Sequence, residues 1–510
     1  MNARVQSAVL NGIDGIPVDV EVDISPGLSA FEIVGLPEAT VRESRVRVLS
    51  ALRNLGHRAG SRRITVNLAP ADVKKHGSLY DLPVAVGVLA CMEAIPASAL
   101  ANRALLGELS LDGLVRPVPG VLPMVAAARD RGIAEVIVPA ANAGEAAAVR
   151  GVRCMAAGTL QELIGYLGGS GTLPEARPDE AVAAAPQRLA IDLADVCGQA
   201  HVKRALEIAA AGRHNLLMVG PPGSGKTMLA RRILTILPDL TYDESIETTK
   251  VHSVAGLLRR RPGLVTQRPF RAPHHTGSAA SISGGGSPPR PGEVSLAHNG
   301  VLFMDELPEW RRDVLEALRQ PMEERTVTIT RVAGTVTFPA DFLLVAAMNP
   351  CPCGWSGDPR HRCSCSPPEA ARYRSRASGP LLDRMDLHVE VPAVPFRDLA
   401  RRGGGESSET VRARVVRAAE VQAARFAGDA GARFNGRMDS RRVASCCEVP
   451  PEAARLLEAA MDRLGLSARA LDRVLKVART IADLEGCERI GPVHVSEAIQ
   501  YRLLDRVSPA

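Results

Sequence analysis

Gly220-Pro221-Pro222-Gly223-Ser224-Gly225-Lys226-Thr227 satisfies the pattern G-x-x-x-x-G-K-[ST], with the apolar run Asn215 to Val219 before it and a helical segment after it. Glycines at this spacing let backbone N–H groups curl around phosphate oxygens, and the helix N-terminus adds partial positive charge. Lys226 is then expected to reach the β- and γ-phosphates of ATP, and the Thr227 hydroxyl to ligate Mg2+. A phosphate cradle alone does not hydrolyse anything. Val301-Leu-Phe-Met-Asp305-Glu306 supplies the missing part, an apolar strand that ends in two carboxylates. Asp305 is placed to hold the Mg2+ water shell, and Glu306 to act as general base on the attacking water. A third apolar run, Phe342 to Met348, ends in Asn349, an amide placed to orient water near the γ-phosphate.

Two further constellations carry chemistry. Cys351-x-Cys353-x9-Cys363-x-Cys365 offers four thiolates, enough for a closed tetrahedral Zn2+ site. C-x-C is tighter than the usual spacing, His361 could replace one thiolate, and free cysteines in a turn are the alternative. From His252 to Gly292 stand six arginines (Arg259, Arg260, Arg261, Arg268, Arg271, Arg290) and no Asp or Glu. Arg325-Thr-Val-Thr-Ile-Thr-Arg331 alternates like a strand and should pair through Gly334 with Thr335 to Phe338. Both basic segments suit phosphate contacts, with a surface used in subunit packing as the alternative.

These residues need a scaffold, and the chain is long enough for several. At 510 residues and 46% hydrophobic content it can bury more than one core, which excludes wholesale disorder. A net charge of +6 suggests an anionic partner, while 3% aromatic residues argue against stacked aromatic platforms for nucleic acid. No apolar run is long enough to span a bilayer, and Leu82 to Met92 is cut off by Glu93. The N-terminus has no long apolar stretch before Asp14, so a cytoplasmic protein with reduced cysteines is expected. Gly/Pro/Ala-rich stretches at Gly168–Pro186 and Arg401–Ser408 read as linkers. The expected fold is α/β and multidomain: residues 1–170, a linker at 171–188, a P-loop core at 189–395 carrying the cysteine knuckle 351–365, and helices from 396 to 510. Strand–loop–helix alternation in the core implies a parallel sheet.

Arg268-Pro-Phe-Arg-Ala-Pro-His-His275, Gly284-Gly-Gly286, the run from Pro291 to Pro308, Asn349-Pro-Cys-Pro-Cys-Gly354 and Ala478 to Leu484 together resemble the Mg-chelatase-like AAA+ family called ComM or YifB. That family is a relative of the chelatase motor subunit and of replicative MCM helicases. The resemblance implies an AAA+ P-loop core of the helix-2-insert clade with a C-terminal helical lid, and puts Asn349 at the sensor-1 position. Leu381 to Asp386 resembles the segment carrying an arginine finger, so Arg384 would enter a neighbouring subunit's site, a contribution of about 10³–10⁵ in rate in other P-loop enzymes. Ser467 to Asp472 resembles the sensor-2 helix, with Arg469 contacting the γ-phosphate. A surface salt bridge is the alternative for either arginine. The basic segment stands where this clade carries its insert, and the 325–338 hairpin resembles the pre-sensor-1 hairpin. In a hexameric ring both would face the pore, making Arg259, Arg260, Arg261, Arg268, Arg271, Arg325 and Arg331 DNA contacts.

Leu105 to Gly120, followed by Ala126 to Gly132, resembles the proteolytic domain of Lon, which has the ribosomal-S5-domain-2-like fold. Asp81 stands where its serine nucleophile should be and Met124 where its lysine should be, so a scaffold or DNA-guiding collar is implied rather than a protease. Lys74, Lys75 and His76 read as a solvated charge run. The function the resemblance implies is a ring-forming ATPase that couples hydrolysis to DNA translocation and branch migration, in homologous recombination during natural transformation. Its cofactors would be ATP, Mg2+ and structural Zn2+; its partners, single-stranded or branched DNA and further copies of itself, with no membrane. The alternatives are a magnesium-chelatase-type metal-insertion motor, whose partner carries a D-x-S-x-S motif absent from this chain, an ATP-dependent protease relative, and a nucleotide-switched scaffold.

Overall fold

Buried and exposed residues alternate along Arg62–Ala69, with Ile64, Val66 and Leu68 inward and Arg63 and Asn67 outward or half-buried, the pattern of a strand with one covered face. The computed structural model describes residues 2–502 apart from 59, 76, 178–189, 261–262, 287–288, 332–333, 378, 395–404 and 429–432. Its N-terminal part is a seven-stranded mixed sheet. Strands β1 (Asn2–Asn11) and β2 (Asp14–Pro26) form an antiparallel hairpin turned at Gly12, φ +66. Strand β3 (Ala30–Val34) lies at one edge, parallel to β4 (Arg62–Ala69). Beyond β1 run β5 (Arg103–Leu105), β8 (Glu135–Pro139) and β9 (Arg153–Ala157), all parallel, while β6 (Glu108–Leu109) and β7 (Val115–Arg116) make a separate ribbon. The Asp81–Cys91 helix, buried at every position, and the Val121–Asp130 helix pack on β1 and β2. Two helices follow β3, Ala39–Arg42 and Ser44–Asn54, with the chain breaking between them at Glu43.

The second sheet is parallel throughout. Its strands are β10 (Leu216–Val219), β11 (Phe270–Arg271), β14 (Val301–Met304), β17 (Leu343–Met348) and β18 (Leu387–Glu390), in the order β11-β14-β17-β10-β18. Central parallel strands are covered on both faces, which is why β14 and β17 read as unbroken apolar runs. Two hairpins stand off the sheet: β12 (Gly284–Gly285) with β13 (Arg290–Pro291), and β15 (Thr326–Arg331) with β16 (Gly334–Pro339). The C-terminal part is helical. Ser408–Arg425 and the strongly amphipathic Ala468–Leu484 pack on the Ala200–Gly212 helix and share its apolar core.

The two sheet-bearing parts meet through the Tyr242–Val254 helix. Ser253 Oγ donates to Glu145 Oε2 (2.6 Å), Gly120 N–H to Ser253 O (3.2 Å), and Lys250 Nζ lies 2.8 Å from Asp14. Among the described residues no helix is long and apolar enough to cross a membrane.

Candidate functional site

Because β17 lies between β10 and β14, the three strand ends converge at one edge of the parallel sheet, and each delivers one part of the site. The loop after β10 turns through Gly223 and Gly225, at φ +74 and +91, into the Lys226–Ile236 helix. Gly220 has no room for a side chain: a Cβ there would stand 2.2 Å from Val391 O. Lys226 Nζ lies inside the loop, donating to Gly220 O (2.7 Å), Pro221 O (2.9 Å) and Asn349 Oδ1 (3.2 Å). Burial pushes this ammonium below its ordinary pKa against the opposing pull of Asp305 and Glu306. Thr227 Oγ1 donates to Asp305 Oδ2 at 2.9 Å, so hydroxyl and carboxylate already sit side by side, as a shared Mg2+ needs.

Glu306 follows at φ +50, uncommon for a residue with a Cβ, and its N–H donates to Asp305 Oδ1 (2.9 Å). Its carboxylate Oε2 is 3.1 Å from His275 Nδ1. His275 was legible only as a letter in a motif; its contact with the candidate base is a tertiary feature. Gln199 was not foreseen at all. At φ +52 it donates through Nε2 to Ser224 O and Pro392 O, both at 3.0 Å, and so ties the P-loop to the chain after β18.

The cysteine knuckle packs on this site. Cys351, Cys353 and Cys363 have sulfur separations of 3.4, 3.7 and 3.5 Å, and all four sulfurs, with Cys365, lie within 4.8 Å of one another. Zn–S bonds of about 2.3 Å in a tetrahedron set sulfurs roughly 3.8 Å apart, so the donor set fits Zn2+. Backbone N–H groups of Trp355 and Ser364 hold the Cys353 thiol down at about 5. His361 is not among these donors: its ring lies tilted against Trp355, centroids 4.0 Å apart, and 3.4 Å from Asp358. Gly354 meets the P-loop so closely that a Cβ would stand 2.6 Å from Pro222 Cδ.

Arg384 and Arg469 lie elsewhere. They line one cavity of about 280 Å3 together with Asn215, Glu323, Arg325 and Arg473, and among the described residues neither bonds to the Lys226–Thr227–Asp305–Asn349 group. Arg384 donates to Pro380 O (2.7 Å) and pairs with Glu323, whereas Arg469 is exposed at the start of its helix.

Several expected DNA contacts need correction. Arg268 is buried, not pore-facing: it donates to the carbonyls of Pro238 (2.5 Å), Asn299 (2.7 Å) and Asp239 (3.0 Å) and to Glu244 Oε2 (3.0 Å). Glu244 in turn caps its own helix and lies 3.4 Å from the buried Arg213. Arg271 is neutralised by Glu293 in a two-pronged pair of 2.6 and 2.7 Å. Both acids stand outside the acid-free window, Glu293 immediately after it and Glu244 in the helix before it. Arg325 turns into the Arg384 cavity, donating to Arg437 O at 3.0 Å. Arg331 does stand exposed near the hairpin tip, with its guanidinium beside Gly285 of the other hairpin. Arg261 and the side chains of Arg259 and Arg260 lie outside the described residues, as do 178–189 of the linker.

In the N-terminal part Asp81 is fully buried, held by Arg47 Nε (2.5 Å) and Leu109 N–H (3.2 Å), and Met124 is fully buried as well. Burial pushes the Asp81 pKa up, against Arg47. Lys75 is not part of a solvated run: it is fully buried, with Nζ donating to Pro70 O. Ser78 Oγ donates to Glu108 Oε2.

The chain matches the family described as magnesium chelatase, subunit ChlI, over residues 192–399, subunit ChlI of Mg-chelatase over 20–142, and the subunit ChlI C-terminal family over 405–502. It is 45% identical over 497 residues to the uncharacterized protein YifB of Escherichia coli, covering 97% of this chain and 96% of that one. To competence protein ComM of Haemophilus influenzae it is 44% identical over 510 residues, covering 99% and 98%. To Lon protease 2 of Bacillus subtilis it is 26% identical over 182 residues, covering 31% and 32%.

Proposed function

The chain belongs to the ComM/YifB family of magnesium-chelatase-like proteins, and from that premise we propose that it is a ring-forming AAA+ ATPase that turns ATP hydrolysis into movement along DNA. The family implies ATP and Mg2+ as cofactors. Lys226 fills the P-loop with its own ammonium and exchanges the carbonyls of Gly220 and Pro221 for the β- and γ-phosphates when ATP enters. Thr227 and Asp305 would hold the Mg2+, whose charge offsets that developing on the phosphate oxygens. Glu306 takes a proton from the attacking water, with His275 orienting its carboxylate and Asn349 positioning the water. Cys351, Cys353, Cys363 and Cys365 would bind Zn2+ as a structural cross-link supporting Pro222 of the P-loop.

One observation carries the ring. Arg384 and Arg469 line a cavity of their own, apart from the P-loop group of the same chain. Arginines placed there serve hydrolysis only in a neighbour's site, so a lone subunit is incomplete. The DNA part is supported by the family likeness to a competence protein and by the exposed Arg331 beside the β12–β13 hairpin. Branch migration during recombination of incoming DNA is the use this reading assigns.

The test is the ATPase rate of the purified chain with and without single-stranded or branched DNA, read alongside its mass in solution. A multimer whose turnover rises with DNA is expected. An active monomer indifferent to DNA would overturn the reading.

A further inference from the structure

Uncompensated positive charge gathers away from the ATPase core. Arg45 and Arg53 on the Ser44–Asn54 helix, Arg58 in the loop after it and Arg62 at the start of β4 line one pocket of about 260 Å3 with His57. No carboxylate lines it. All four arginines are exposed, and among the described residues none makes an ion pair or side-chain hydrogen bond. Their neighbours are committed: Arg47 holds Asp81, and Arg63 pairs with Glu32 at 3.0 Å. The floor is apolar, built by Leu49, Leu52 and Ile64.

Four guanidinium groups around one pocket repel each other, and an anion bound among them relieves that repulsion. Guanidinium planes pair with phosphate oxygens and also offer flat faces to bases, which matters in a chain with few aromatics. The apolar floor gives a sugar or base edge a place to lie. We infer that this pocket on the N-terminal domain binds the phosphodiester backbone of single-stranded DNA, a second binding surface remote from the hairpins of the core. The identity of the occupant rests on the DNA-motor reading above. The charge itself does not, and it takes the place of the insert arginines that Glu244 and Glu293 neutralise.

The experiment is fluorescence anisotropy of a labelled single strand against the full chain over a range of salt. Three proteins are compared: wild type, R45Q/R53Q/R58Q/R62Q, and R417Q/R441Q/R455Q/R489Q, which removes equal charge from exposed positions on the C-terminal part. Each phosphate that is no longer neutralised should flatten the slope of log affinity on log salt by about 0.7. Three such phosphates together lower affinity about 100-fold at 0.1 M salt. The pocket variant should show that weakening, with unchanged sedimentation and unchanged ATPase without DNA, and the control variant should not. An unchanged slope in the pocket variant, or an equal weakening in the control, overturns the site. Dissociation of the oligomer in the pocket variant also overturns it, marking the patch as a subunit interface. Wild type that binds no DNA at any salt defeats the motor reading and the occupant with it, whereas wild-type binding that the pocket variant retains defeats the pocket alone.

Discussion

Arg268→Ala separates a structural arginine from a DNA contact. The side chain is 5% exposed and its guanidinium serves four acceptors, three of them carbonyls and the fourth Glu244, whose side chain is 7% exposed. Removing it leaves those carbonyls without their donor and leaves Glu244 with Arg213 at 3.4 Å as its remaining cation. Breaking a buried pair by deleting one partner costs about 3–5 kcal/mol. At about 2–4 °C per kcal/mol for a unit of 150–250 residues, the unfolding midpoint should fall by about 6–20 °C. The effect also has a pH signature. Burial raises the Glu244 pKa, but Arg268 and Arg213 outweigh it and the net shift is downward. The Glu244 part of the stabilisation is therefore complete above the ordinary Glu value of about 4.3 and is lost as the pH falls through the lowered one, so the gap between wild type and variant should narrow in acid while the carbonyl part of it persists. Thermal unfolding followed by circular dichroism, at neutral pH and in acid, measures both effects; DNA anisotropy over salt supplies the counter-test. A midpoint moved by less than about 2 °C, with a salt slope flattened by about 0.7–0.9, would put Arg268 on a phosphate and refute the burial argument.

Other predictions concern the chemistry. Glu306→Gln should bind ATP and fail to hydrolyse it, and Arg384→Ala should do the same from the other side of a shared site. Mixing the two should restore part of the ATPase rate, because some interfaces regain both wild-type halves; no recovery would argue against sharing. His275→Ala should lower kcat on the order of tenfold, about 1.4 kcal/mol of barrier, with KM for ATP little changed; a full-rate variant would remove His275 from the site. The purified protein should carry about one Zn2+ per chain by elemental analysis, and Cys363→Ser should lose the metal and part of the ATPase rate, because Gly354 packs on Pro222. Metal-free protein with full activity would leave the cysteines free.

The parts legible in the sequence are those whose chemistry fits within a few adjacent residues. Lys226 and Thr227 stand together in one turn, Asp305 and Glu306 at one strand end, and the four cysteines within 15 positions. Unbroken apolar runs likewise announced β14 and β17, because a strand covered on both faces needs no polar alternation. Charge was harder to read, since an arginine's partner can come from anywhere in the chain. Arg268 finds Glu244 24 residues back, and Arg325 reaches the Arg437 carbonyl 112 residues on. A window free of acids therefore says nothing about whether its arginines are free.

By itself the sequence determined a glycine-rich turn leading into Lys226 and Thr227, an Asp305–Glu306 pair at a strand end and a cysteine cluster, because each is a local arrangement of backbone and side chains. Only the tertiary structure decided which cations remain available. It buried Arg268, paired Arg271, turned Arg325 inward, set Arg384 beside Arg469 away from their own P-loop, and left Arg45, Arg53, Arg58 and Arg62 uncompensated around one pocket. The physical reason is that Coulomb energy and burial depend on distance through space, which chain order does not record.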